Sequence, residues 1–166
     1  MLKRHTSQAP KPRETTLDLT SVESLVGVMV RLVQVSLTDA FYERFNELEI
    51  SCTEYSVLST AKANPSANQG EIAAALMIKR SNMTKIVNNL EQRKLLARFA
   101  TKGDKRAVKI EVTKNGEQLL NKLANEVVLQ DKAAVSALSS HERHILLGLL
   151  GKVADSYSNK PFVSVE

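Results

Sequence analysis

The sequence predicts a mainly α-helical chain broken once by a two-stranded β hairpin. Three observations predict it. Apolar residues recur every three or four positions through most of residues 18–153, the spacing of helices with one buried face. The spacing drops to two only across residues 96–113, around a Gly103-Asp104 tip, as a hairpin requires. Ser and Thr residues stand just ahead of several helical stretches, where their hydroxyls can accept unpaired backbone N–H groups.

Taken in order, residues 1–14 contain Pro10, Pro12 and four basic residues with almost no apolar surface. They read as a basic tail that is disordered or orders only on contact, either plainly solubilising or an arm touching DNA or a partner subunit. From residue 18 to 48 apolar side chains fall at 22, 25, 26, 29, 32, 33, 37, 41, 45 and 48, with Gly27 the one weak spot. A continuous helix over those residues would be about 45 Å long. That exceeds what a small domain needs for its own core, so packing against a second chain is expected. Ser51 or Thr53 can cap a helix to Ala63, with Glu54 in its first turn and Asn64-Pro65-Ser66 ending it. A short helix over 71–77 turns Ile72, Ala73 and Leu76 inward. The next helix, 80–93, has Met83, Ile86, Val87 and Leu90 as its apolar stripe. In the hairpin, Leu96 and Arg98 alternate with Ala97 and Phe99, and Val108, Ile110 and Val112 with Lys109, Glu111 and Thr113. Thr113 caps a helix striped by Leu119, Leu120, Leu123, Val127 and Val128 that runs towards Leu138. Ser139 or Ser140 caps a last one with Ile145, Leu146, Leu149, Leu150 and Val153 buried. Residues around Pro161-Phe162-Val163 form an irregular tail.

Charge is segregated along this order. Residues 79–109 carry ten Lys or Arg against two acids, Glu91 and Asp104, whereas the formal charge of all 166 residues is +5. Residues 15–78 are net acidic. A basic run alone reads as a solvated face. Here it coincides with a helix and a tight turn, Lys102-Gly103-Asp104-Lys105-Arg106. A helix in the major groove with a basic tip on the backbone or in the minor groove would displace phosphate counterions, so duplex DNA is the expected partner. No apolar run approaches the roughly 20 residues that cross a bilayer, so no membrane partner is expected. The first residues lack a secretory pattern and there is one cysteine, Cys52. These predict a cytoplasmic protein.

Two consecutive short helices with a basic second one form a helix-turn-helix, and the hairpin directly behind them makes it winged. At this point a family resemblance is specific. The run Gly70-Glu71-Ile72-Ala73-Ala74-Ala75-Leu76-Met77-Ile78-Lys79-Arg80-Ser81-Asn82-Met83-Thr84-Lys85 resembles the helix-turn-helix of the MarR family of bacterial transcription regulators. Leu90-Glu91-Gln92-Arg93-Lys94 and Arg98 are similar to the segment leading into that family's wing. Asp104-Lys105-Arg106 resembles its Asp-Arg-Arg wing signature, and Val112-Thr113-Lys114-Asn115-Gly116 its Leu-Thr-x-x-Gly closure. The likeness covers 17–157 and is sharpest in 70–116. It departs at Leu95, where members have a glycine before the wing, so the helix must turn there without one. It departs also at Lys105, a Lys in place of a forked Arg, and at Lys79, where a small capping residue is usual.

The resemblance implies a mainly α, winged helix-turn-helix fold with a two-stranded β wing and long N- and C-terminal dimerisation helices. The regions are then a basic tail over 1–16, an N-terminal dimerisation helix over 17–50, a DNA-binding region over 51–116, and C-terminal dimerisation helices and tail over 117–166. It implies a homodimer reading a pseudo-palindrome, with half-sites about 34–36 Å apart, and a small-molecule effector of the aromatic-acid, phenol or thioester kind that releases a repressor from its operator. Arg106 is the leading minor-groove contact, with Asp104 supporting the turn and Lys102 and Lys105 beside it. Arg80, Ser81, Asn82 and Lys85 are candidates for bases or phosphates, Thr84 and Asn88 for phosphates. Arg98 can pair with either an acid or a phosphate. Phe41, Tyr42, Phe45 and Tyr55 are the aromatics considered for an effector pocket, with core packing as the competing role.

Other readings are weaker. A redox sensor through Cys52 is set against a buried, inert thiol, since no cation lies beside it in sequence. His141 and His144 are one turn apart but flank Glu142 and Arg143 on a polar helix start, so no metal is expected. An enzyme is disfavoured by the lack of a phosphate loop, a nucleophile motif or a dense His/Cys/acid cluster, and no cofactor is expected. An architectural DNA-binding protein without an effector remains the rival within the same chemistry.

Overall fold

The computed structural model describes residues 17–101 and 104–157. The basic tail over 1–16, the tip residues Lys102 and Gly103, and residues 158–166 lie outside the described residues. The chain divides into two units at Ile50 and Ser51.

The first unit differs from the single helix expected over residues 18–48. One turn, α1 (Thr20–Glu23), is followed by α2 (Val26–Phe45), and a 3₁₀ turn, Asn46–Leu48, completes it. The break falls at Ser24-Leu25, where Leu25 is extended and α2 starts without a side-chain cap. Apolar spacing could not reveal it, because Val22, Leu25, Val26 and Met29 keep the stripe going across the interruption. Gly27, the expected weak point, sits inside the first turn of α2. The 20 residues of α2 give a rod of about 30 Å, not 45 Å. Phe41 and Phe45 are buried, with ring centroids 4.5 Å apart. Further back, Leu25, Val26, Met29, Val30, Leu32, Val33, Val35 and Leu37 are all exposed.

The second unit contains the helix-turn-helix and its wing. Helix α3 (Cys52–Ala63) starts in a capping box. The Ser51 hydroxyl accepts the Glu54 N–H, and the Glu54 carboxylate accepts the Ser51 N–H. Helix α4 (Gln69–Ala75) starts in another, built from Asn68 and Glu71. It ends at Met77, which adopts φ 52°. The Met77 N–H then donates to the Ala74 carbonyl and the Ile78 N–H to the Ala73 carbonyl, the paired bonds of a Schellman turn. That turn delivers the chain into α5 (Arg80–Gln92), whose Met83, Val87 and Leu90 are buried. Lys79 supplies no side-chain cap to it.

The same device ends α5. Lys94 has φ 56°, its N–H donates to Glu91 and that of Leu95 to Leu90. The left-handed residue is therefore Lys94. Leu95, in the position where a glycine is expected, is the buried residue that follows it. Strands β1 (Leu96–Thr101) and β2 (Asp104–Val112) pair antiparallel with Leu96 opposite Val112 and Arg98 opposite Ile110. The register shifts between Ala100 and Thr101, and an isolated bridge joins Lys109 to Asn68 at the start of α4.

Helix α6 (Lys114–Ala134) is capped by Thr113, whose hydroxyl donates to the Lys94 carbonyl and accepts the Gly116 N–H. Leu120 and Leu123 bury its inner face, and the helix packs on α3, where Val57, Leu58 and Ala61 are buried, and on β2, where Ile110 is. Helix α7 (Ser140–Asp155) is capped by Ser139 in a third capping box. The bonds from Ser139 hold the Glu142 carboxyl below its usual range. None of α7's residues is buried: Ile145, Leu146, Leu149, Leu150 and Val153, expected inside, are exposed in the single chain.

Candidate nucleic-acid interface

The outer face of α5 is built by the burial of its inner one. With Met83, Val87 and Leu90 packed inward, Arg80, Ser81, Asn82, Thr84, Lys85 and Asn88 are all exposed. They form one surface of short donors and two cations, the kind that can approach base edges and phosphates. Thr84 is partly committed. Its hydroxyl donates to the Arg80 carbonyl at 3.0 Å, so it offers lone pairs outward unless it gives up that bond.

Arg98 is placed differently from its neighbours in this set. Alternation along β1 puts it on the side of Leu96, opposite the fully buried Ile110. There it reaches α5, donating to Glu91 Oε2 at 2.5 Å and to Asn88 Oδ1 at 2.7 Å. Of the two roles open to it from sequence, the acid holds it in the free chain. An arginine can only donate, so Asn88 must offer its oxygen to Arg98 and turn its NH₂ outward. The backbone of Asp104, Lys105 and Arg106 forms the beginning of β2, one strand removed from α5.

Sequence reasoning missed the group beneath this face. Glu54 is 8% exposed, yet it lies in the first turn of α3 and bonds across to α5. The Asn89 side-chain amide donates to its Oε1, and the Arg93 guanidinium stands 3.9 Å from Oε2. The Ser51-x-x-Glu54 spacing signals the cap, but nothing in it signals the 35-residue reach to Asn89.

The aromatics considered for a pocket fall in both units. Phe41 and Phe45 pack on one another in the first, where Tyr42 is exposed; Tyr55 is half-buried on α3 of the second. Cys52 corrects an expectation. It is exposed rather than buried, because the inward face of α3 is taken by Glu54, Val57, Leu58 and Ala61, and position 52 projects from the opposite side. Partial enclosure still pushes its thiol up, away from the thiolate. Among the described residues no group of three or more His, Cys, Asp or Glu could hold a metal ion, and no helix is long and apolar enough to cross a membrane.

Known proteins match this arrangement. A model of the MarR family matches residues 50–108. The HTH-type transcriptional regulator PecS of Dickeya dadantii (strain 3937) is 31% identical over 132 residues, 78% of this chain and 79% of PecS. The transcriptional repressor CouR, solved bound to a 23-mer DNA duplex, is similar at a TM-score of 0.77 and 26% identity, over 84% of this chain and 99% of CouR. The PcaV transcriptional regulator of Streptomyces coelicolor, solved with its natural ligand, shares the fold at a TM-score of 0.72 and 22% identity, over 87% of this chain and 99% of PcaV.

Proposed function

The chain belongs to the MarR family of DNA-binding transcriptional regulators, and from that premise we propose that it acts as a homodimeric repressor released from a pseudo-palindromic operator by a small molecule. One observation carries the dimer. A single chain leaves Ile145, Leu146, Leu147, Leu149, Leu150 and Val153 of α7 exposed, together with most of the apolar side chains of α2. Each of the six on α7 is already about half covered. Burying the rest is worth about half of the 1.5–3 kcal/mol that full burial gives. The sum exceeds the lower end of the roughly 4–15 kcal/mol that association costs. A soluble monomer has no reason to present that surface on two helices while it also presents a polar, basic face on a third.

In the bound state each α5 lies in a major groove, with Arg80, Ser81, Asn82 and Lys85 at bases or phosphates and Asn88 presenting its NH₂ to a phosphate. Arg106 enters the adjacent minor groove from the wing, with Lys102 and Lys105 on the backbone. CouR, solved bound to a duplex, supports double-stranded DNA as the partner. The effector reading rests on the family, with PcaV as a case in which this fold holds a ligand. Its class is a small aromatic acid or thioester. A coupling of about 1–3 kcal/mol between effector and DNA is enough to empty an operator. Cysteine-based sensing is disfavoured by the raised thiol of Cys52.

Titration of a DNA duplex enriched by the protein itself, with and without a panel of aromatic acids and their thioesters, tests the reading. A compound that both raises the melting temperature and releases the duplex supports it. Uniform coating of unrelated duplexes, unaffected by any compound, would favour the architectural alternative.

A further inference from the structure

We propose that Glu54 is a positioning residue for the DNA-reading helix, acting through Asn89. The inference rests on the DNA-binding reading above.

Apolar contacts seat α5, but they are non-directional and roughly proportional to area. Met83, Val87 and Leu90 therefore oppose lifting of the helix more than rotation about its own axis. Lys79 gives its first turn no side-chain cap. Directional bonds must set the rotation, and two adjacent residues supply them from opposite elements. Asn88 is held by Arg98 from the wing, and Asn89 by Glu54 from α3. Glu54 is itself fixed, because its Oε2 accepts the Ser51 N–H at 2.8 Å and the Ser51 hydroxyl at 2.9 Å.

A carboxylate only accepts, so Asn89 must turn its NH₂ inward and leave Oδ1 outward. An outward oxygen is ill-suited to a phosphate. Asn89 therefore serves as a tether although it is exposed on the polar side of α5. A part-buried, charge-assisted bond is directional and costly to break. It fixes the rotation at which Arg80, Ser81, Asn82 and Lys85 meet the groove.

The test uses the full chain and duplexes that the wild-type protein enriches from a random-sequence library, with a shuffled duplex of equal length as control. Binding is read by fluorescence anisotropy at one salt concentration, below the melting temperature of every variant. Asn89→Ala spares the capping box and is expected to lose about tenfold in affinity for the enriched duplex, with little change on the shuffled one. Glu54→Ala loses a similar factor, and the double variant loses no more than either single. Glu54→Gln recovers most of the loss, because its oxygen still accepts Ser51 and its amide can donate to a flipped Asn89. Wild-type affinity in Asn89→Ala overturns the proposal. So do additive losses, or equal losses on both duplexes, which would make Asn89 a direct DNA contact. A wild-type chain that enriches no sequence removes the DNA-reading premise along with it, whereas enrichment with indifferent variants removes this proposal alone.

Discussion

Gly116 sits where α6 leaves the wing, and replacing it with alanine isolates one steric demand of the fold. A Cβ there would lie 2.2 Å from the Leu95 carbonyl oxygen and 2.7 Å from Val112 Cγ1. To bring the first distance from 2.2 to at least 3.0 Å, backbone must move, and the backbone concerned is doubly tied. The Leu95 oxygen accepts the Thr113 N–H at 3.1 Å, and the Lys94 oxygen accepts the Thr113 hydroxyl at 2.6 Å. Overpacking costs about 1–3 kcal/mol, and weakening those two bonds adds about 1 kcal/mol each. Against this stands the roughly 1 kcal/mol that alanine normally gains over glycine inside a helix. The clash wins, leaving a net destabilisation of about 2–4 kcal/mol. For a chain of this length that corresponds to a fall in melting temperature of roughly 5–15 °C. Circular dichroism melts at matched protein concentration measure it, since a dimer's stability depends on concentration. A melting temperature equal to or above that of the parent would refute the reasoning, and with it the packing described between the end of α5 and the start of α6.

The opposite sign is expected at two of the three left-handed non-glycine residues among those described: Lys94→Gly and Met77→Gly should each stabilise by about 0.5–1 kcal/mol, read as a higher urea midpoint at unchanged slope. Arg106→Ala should weaken binding to the enriched duplex and shallow its salt dependence while leaving the melting temperature nearly unchanged; unaltered affinity would remove its assigned role. Leu149→Lys combined with Val153→Lys, two exposed positions one turn apart on α7, should shift the sedimentation coefficient from dimer to monomer and abolish tight DNA binding; a variant that stays dimeric would place the interface elsewhere.

Much of the second unit was legible because burial leaves a periodic trace. The stripe Met83, Val87 and Leu90 located α5, and the switch to alternation located the hairpin. Thr113 and Ser139 announced helix starts through side-chain chemistry that operates within three residues. What escaped notice depended on contacts without a local signature. The break at Ser24-Leu25 lies between apolar residues that continue the stripe. The left-handed turn at Lys94 is imposed by the bonds that close α5 and by Thr113 beyond, so a residue other than glycine can occupy it at a cost. Cys52 was placed inside because it opens a helix with a buried face, but it projects from the other side. Of the candidate DNA contacts, the α5 residues could be read from the face opposite the stripe. Arg98 could not be assigned, because its choice of Glu91 depends on the orientation of β1 against α5. Glu54 and Asn89 meet only through the packing of α3 on α5.

The proposed regulator is a pair of chains that present matched basic reading heads to one duplex. Enrichment of a random-sequence duplex library by the full chain, followed by footprinting and stoichiometry on the enriched sequence, tests it most directly. The expected result is a two-fold symmetric sequence with half-site centres about 34–36 Å apart, protected by two chains. An asymmetric site filled by a single chain, or no enriched sequence at all, would contradict it.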